Sequence, residues 1–152
     1  MVPTLILGLG NLVHGDDGVG VHAIQRLQTD SRVPAGAVLM DGGTLGMGLI
    51  SHIAGFERVL VIDAVHAGEQ PGTLIRLEGK AIENMPGKPS VHQLGFADLM
   101  ISLRLLGETP PEVVVLGVEP KSTEWSTELT PPVEASLDKL TTLVIDQLRS
   151  WN

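Results

Sequence analysis

The opening run Thr4-Leu5-Ile6-Leu7-Gly8-Leu9-Gly10-Asn11, continued by His14-Gly15-Asp16-Asp17-Gly18-Val19-Gly20, confines the chain to a narrow set of folds. It reads as a buried strand, a glycine-rich turn and the start of a helix, the first unit of an α/β protein. The same grammar opens dinucleotide-binding folds, whose G-x-G-x-x-G fingerprint lets a pyrophosphate approach a helix N-terminus. Here Val13 replaces the third glycine, and Asp16 and Asp17 stand where the pyrophosphate would sit. A helix N-terminus attracts anions, and this turn brings its own. Its carboxylates can cap the helix or hold a cation, and they repel phosphate.

Further apolar runs predict strands at about residues 37–41, 58–63, 72–77 and 112–118, beside the first at 4–9. Val59-Leu60-Val61-Ile62 and Val113-Val114-Val115-Leu116 are continuous and largely β-branched, as in parallel strands covered on both faces. Thr73-Leu74-Ile75-Arg76-Leu77 is short, carries a charge and follows a Pro71-Gly72 turn, which predicts an antiparallel edge strand. Helical periodicity lies between these runs, at 18–28 and 91–106, with a glycine-rich short helix near 46–54. The second helix has a capping box in Ser90 and Gln93. A last helix starts with Thr130 as N-cap and Pro131 at its first position. Its apolar stripe is Val133, Leu137, Leu140, Val144, Leu148 and Trp151. Alternating strands and helices over 152 residues predict one domain, 1–152, a three-layer α/β fold.

Composition removes several functions. The net charge of −8, with ten scattered basic residues, argues against nucleic acid as a partner. The absence of cysteine excludes disulfides, thiolate catalysis and cysteine-ligated zinc or iron–sulfur centres. The first apolar run is short, lacks a basic leader and breaks at Gly8, so it does not read as a signal peptide. No run approaches the length needed to span a bilayer. A soluble, cytoplasmic protein is expected, and a monomer, since no long apolar surface stripe is evident.

In a parallel sheet, ligands bind beyond the carboxyl ends of the strands. Asp16-Asp17 follow the first strand, Asp41 ends the second in Asp41-Gly42-Gly43-Thr44, Asp63 ends the third, and His92 falls in the first turn of the helix capped by Ser90. Carboxylates with one imidazole and no thiol suit a borderline divalent metal such as zinc or nickel. Near a helix N-terminus His92 stays neutral and able to ligate. Taken singly, Asp16 reads first as a helix cap, and Asp41 and Asp63 read equally as turn formers or functional groups. His14 and His66, in rim loops, are better candidates for a direct role than His22 and His52. The residues alone define an α/β protein with a polar, metal-binding rim.

Taken together and in order, several blocks resemble the hydrogenase maturation endopeptidases. They are Leu7-Gly8-Leu9-Gly10-Asn11 with Asp16-Asp17-Gly18-Val19-Gly20, Asp41-Gly42-Gly43-Thr44-Leu45-Gly46, Val61-Ile62-Asp63-Ala64 and Pro71-Gly72-Thr73. Ser90-Val91-His92-Gln93-Leu94-Gly95, Leu116-Gly117-Val118-Glu119-Pro120 and Leu129-Thr130-Pro131 complete the set. The resemblance implies a phosphorylase/hydrolase-like α/β/α sandwich with a five-stranded, mostly parallel mixed sheet. It implies an endopeptidase that removes the C-terminal extension of a nickel–iron hydrogenase large-subunit precursor after nickel insertion. The family's metal-coordinating positions fall on Asp17, Asp63 and His92, which the resemblance makes catalytic; the first is often Glu in relatives. The nickel is supplied by the precursor, whose own cysteines hold it. Asp41, Gly42, Gly43 and Thr44 match the loop implicated in choosing the cognate hydrogenase. The alternatives are a non-catalytic nickel-binding chaperone, a nucleotide-dependent oxidoreductase, disfavoured by Val13 and the acidic turn, and an aminopeptidase or phosphorylase-like enzyme, disfavoured by the lack of a basic phosphate pocket.

Overall fold

The computed structural model describes residues 3–43, 45–85 and 95–152. Five strands form one sheet: β1 (Thr4–Leu9), β2 (Ala37–Gly43), β3 (Arg58–Ala64), β4 (Leu74–Glu78) and β5 (Glu112–Val118), in the order β2-β1-β3-β5-β4. β2, β1, β3 and β5 run parallel, and β4 pairs antiparallel with β5, Leu74 opposite Val118. The charged, turn-bounded run was therefore correctly read as an antiparallel edge. Its strand begins two residues later than expected, because Gly72 and Thr73 form the turn; Gly72 N–H donates to the carbonyl of Glu119 (2.8 Å).

The continuous apolar strands alternate their side chains between two cores. Ile6, Leu60, Ile62, Val114 and Leu116 pack against α1 (Val19–Leu27) and the C-terminal helices, and Leu5, Leu7, Val59, Val61 and Val115 pack on the opposite face. That second face is covered by α2 (Ile50–Ile53), α3 (Lys80–Glu83) and α4 (Phe96–Leu105). Helices on both faces of a mostly parallel sheet make the three-layer α/β/α sandwich. Among the described residues no helix is long and apolar enough to cross a membrane.

Three local readings change. The expected helix over 131–151 is two, α5 (Pro131–Glu134) and α6 (Leu137–Trp151). Thr130 is the N-cap as expected, and the chain tightens at Ser136, whose hydroxyl donates to the carbonyl of Val133 (2.6 Å). The stripe survives because Val133 and Leu137 stay one turn apart, both buried. Residues 46–54 divide into a 3-10 turn, Gly46–Leu49, and α2. α4 starts at Phe96 with Gly95 as N-cap, Gly95 N–H donating to Asp98 Oδ2 (3.2 Å); the Ser90–Gln93 capping box and His92 lie outside the described residues. The short α3, after Gly79, has too few turns to leave a periodic signal.

The site depends on how closely α1 meets the sheet. A 3-10 turn, Gly15–Gly18, feeds straight into α1. A Cβ on Gly20 would overlap the carbonyl oxygen of Ile62 in β3, and one on Gly8 would overlap the carbonyl oxygen of Gly20. Gly10, at φ +122°, has Asp17's carbonyl where its own Cβ would be. Backbone here lies directly on backbone. Gly20→Ala is expected to lower stability by about 3 kcal/mol, since the neighbours are main chain and cannot swing aside. Urea unfolding checks this, and a loss under about 0.5 kcal/mol, as at an ordinary surface position, would show that the helix can lift without cost.

Candidate functional site

β1 sends its connection out to β2, whereas β3 sends its connection to the opposite side, to β4 and β5. Between two strands whose connections diverge, the loops part and leave a crevice beyond the carboxyl ends. Asp17, in the turn after β1, and Asp63, near the end of β3, come from these two strands. Both are buried, at 4% and 1% exposure. Asp17 Oδ2 accepts the N–H of Asn11 (2.9 Å), and Asp63 Oδ1 accepts the N–H of Ala64 (2.8 Å). The Asn11 amide, which in a dinucleotide-binding loop would be available to phosphate, is thus taken by the protein's own carboxylate. A cavity of about 150 Å³ includes Asp63, His66, Glu83, Gly95 and Asp98 in its wall.

Asp16 does something its sequence context did not show. It is fully buried, and no side-chain cap is made at the start of either the 3-10 turn or α1. Its Oδ2 accepts the N–H groups of Lys121 (2.8 Å) and Ser122 (3.1 Å) and the hydroxyl of Thr130 (2.7 Å), and its Oδ1 accepts the N–H of Thr130 (2.8 Å). Burial alone would raise its pKa. The Thr130 hydroxyl and the amides of Thr130, Lys121 and Ser122 outweigh this and hold the carboxyl below its ordinary range. Asp16 is therefore a strut between the first turn and the loop after β5.

The neighbouring contacts continue that seam. His14 Nδ1–H donates to the carbonyl of Thr123 (3.1 Å), and the ring stacks on exposed Trp125, centroids 4.2 Å apart. His14 is thereby committed to structure. A fourth buried carboxylate, Glu119, falls in the block Leu116-Gly117-Val118-Glu119-Pro120. Its Oε1 accepts the N–H groups of Ala67 and Glu69, both at 2.8 Å, and so fixes the loop that carries His66.

Asp41 lies exposed at the end of β2, opposite Gly8 of β1. Gly42 is buried, and Gly43 accepts the N–H of Gly10 (3.1 Å), so this segment is stitched to the first turn. Thr44 and His92 lie outside the described residues. His52 is exposed on α2, and His22 sits half-buried in the first turn of α1. The structure thus brings Asp17, Asp63 and the Asp41–Gly43 segment to one rim. Among the described residues no three His, Asp or Glu side chains converge as a metal-holding group; the sequence-derived trio includes His92.

The family model for hydrogenase maturation proteases matches residues 21–147. The chain belongs to that family. It is 33% identical over 150 residues to the hydrogenase expression/formation protein HupD of Bradyrhizobium diazoefficiens, covering 97% of this chain and 78% of that protein. It is 35% identical to the hydrogenase 2 maturation protease of Escherichia coli, covering 95% and 90%. Among solved structures, the hydrogenase maturating endopeptidase HybD from E. coli superposes with a TM-score of 0.90 at 34% identity, over 100% of this chain and 94% of that one. A hydrogenase 2 maturation peptidase from a thaumarchaeon superposes with a TM-score of 0.74 at 28% identity, over 95% and 97%.

Asp16→Asn presents an amide to four donors where a charged acceptor stood, and urea unfolding near neutral pH is expected to show a loss of about 3 kcal/mol. Because folding lowers the Asp16 pKa, its contribution is complete above the unfolded carboxyl value of about 4 and fades as the pH falls through the folded value. The gap between wild type and variant therefore narrows in acid. A gap that stays constant from about pH 7 to about pH 2 would mean that the charge contributes nothing.

Proposed function

We propose that this protein is the endopeptidase that removes the C-terminal extension of a nickel–iron hydrogenase large-subunit precursor once nickel has been inserted. Membership of the maturation protease family supports peptidase activity. The observation that carries the finer reading is the pair of buried carboxylates, Asp17 and Asp63, at the switch point of the sheet. Two acidic groups close to one crevice repel each other, and a cation brought by the substrate relieves that repulsion.

The donor set fits such a cation. Carboxylate oxygens from Asp17 and Asp63, with the imidazole of His92 as third donor, suit a borderline divalent ion. Nickel here is the precursor's cargo, held by the precursor's thiolates, and this cysteine-free chain adds an oxygen and nitrogen face. With the precursor docked, one carboxylate acts as general base: it takes a proton from the water that attacks the scissile carbonyl, then returns a proton to the departing amide nitrogen. The C–N bond breaks and a C-terminal peptide leaves. Exposed Asp41, on the rim beside β1, together with Gly42, Gly43 and Thr44, meets the precursor's surface and contributes to partner choice.

The test is a gel-shift processing assay on a nickel-loaded precursor. Wild type is expected to shorten it, and Asp17→Asn, Asp63→Asn and His92→Ala are each expected to slow cleavage by about a hundredfold or more with unchanged far-UV dichroism. A nickel-free precursor is expected to stay intact; its cleavage by metal-stripped enzyme would remove nickel from the recognition step. Nickel binding without any cleavage by wild type would favour the chaperone alternative.

A further inference from the structure

Resting on the reading that the precursor is the partner, we infer that Trp125 anchors the docking surface, seated in an apolar pocket of the precursor that is ringed by basic residues. Three observations carry this. First, Trp125 is the most exposed large apolar side chain among the described residues, at 78%. Large apolar surface left in water marks a place where another molecule sits, and tryptophan is foremost among the residues that carry interface energy. The contact with His14 leaves most of the ring in water, so packing within the seam does not account for it.

Second, the loop that carries this exposed ring is held in place. Ser126 N–H donates to the carbonyl of Val13 (3.0 Å), and Gly15 N–H donates to the carbonyl of Ser126 (2.9 Å). Asp16 accepts the N–H groups of Lys121, Ser122 and Thr130, which ties both ends of the loop. An anchor that is already fixed loses little conformational freedom on binding. The same bonds set its location. Ser126, next to Trp125, is bonded to the turn that leads into Asp17. A partner that covers Trp125 therefore lies on the rim that bears the crevice.

Third, the surroundings select the partner. Of seven exposed large apolar side chains among the described residues, four lie in loops beyond the carboxyl ends of the strands: Val13 after β1, Leu45 and Met47 after β2, and Trp125 after β5. Among the described residues these loops and the one after β3 expose four carboxylates, Asp41, Glu69, Glu124 and Glu128, against one lysine, Lys121. Apolar side chains on an acidic rim fit a protein surface of opposite charge. They disfavour a second copy of this chain, whose rim carries the same sign.

The experiment has two readouts. Trp151, the other tryptophan, lies against Arg58 at the amino end of β3. A Trp151→Phe protein labelled with fluorotryptophan therefore gives one fluorine resonance, from Trp125. That resonance is expected to lose its solvent isotope shift, as water leaves the ring, when a nickel-loaded precursor made uncleavable by proline after the scissile bond is added. In steady-state cleavage of the native precursor, Trp125→Ala is expected to raise KM about tenfold, with kcat within about twofold and the melting temperature close to wild type. Trp125→Phe is expected to recover part of the loss, and raised salt to increase the wild-type KM. A ring that only braces the turn gives the reverse, a lower melting temperature with KM unchanged. Wild-type KM in Trp125→Ala, or a solvent isotope shift that persists with precursor present, overturns the inference and leaves the processing reading standing. Loss of the shift on concentrating the protease alone assigns the surface to a second copy and also overturns it. Loss of the shift with precursor, but no cleavage of the native precursor by wild type, supports the docking surface and overturns the processing reading. Neither cleavage nor a change at Trp125 overturns both.

Discussion

The contact of main chain on main chain at the start of α1 is what the rest of the site depends on. Gly8, Gly10 and Gly20 leave no atom between the first turn, β1 and β3. With even one methyl group there, the helix would stand off the sheet and carry the first turn away with it. Asp17 would then no longer lie over the ends of the two strands whose connections diverge. Dinucleotide-binding folds use the same economy of side chains to bring a phosphate close to the backbone. In this chain the space is filled by protein, and Asp17 takes the amide that would have met the phosphate.

Four buried carboxylates surround the carboxyl ends of the strands, and they divide into two pairs by what they join. Asp16 and Glu119 join distant segments of backbone, the first to residues 121–130 and the second to residues 67–69. Asp17 and Asp63 each bond an amide of their own local turn or strand and lie at the crevice. A carboxylate is a suitable strut because it accepts several donors at once and its charge strengthens each bond. Adjacent aspartates thus make different connections: Asp16 ties the first turn to the loop after β5, and Asp17 closes that turn on Asn11.

The fold was largely legible. Continuous β-branched runs gave buried parallel strands because both faces of the sheet are covered, and Arg76 with the Pro71-Gly72 turn marked the edge. Periodicity located α1 and the stripe of α6, although it could not see the interruption at Ser136, which leaves the stripe in phase. The candidate site was legible where it lies in local sequence: Asp17 and Asp63 follow strands, and their positions could be foreseen by the rule for parallel sheets. Asp16 was read as a cap because its true partners are more than a hundred residues away, and no local pattern encodes a contact of that span. Glu119 escaped likewise, its partners Ala67 and Glu69 lying 52 and 50 residues away. Trp125 and His14 stack across a distance like that of Asp16, which composition and periodicity do not register.

The Asp16 strut also has a consequence in time. Its acceptor atoms sit in the first turn, and their four donors reside at residues 121, 122 and 130. Synthesis runs from the N-terminus, so a ribosome delivers the charge long before it delivers anything to neutralise its burial. Until Thr130 emerges, the first turn must either keep Asp16 in water or bury it unpaired, and the first is far less costly. The crevice therefore acquires its wall only after most of the chain exists. A nascent chain of this design thus carries its first turn through translation before the seam that fixes it in place exists.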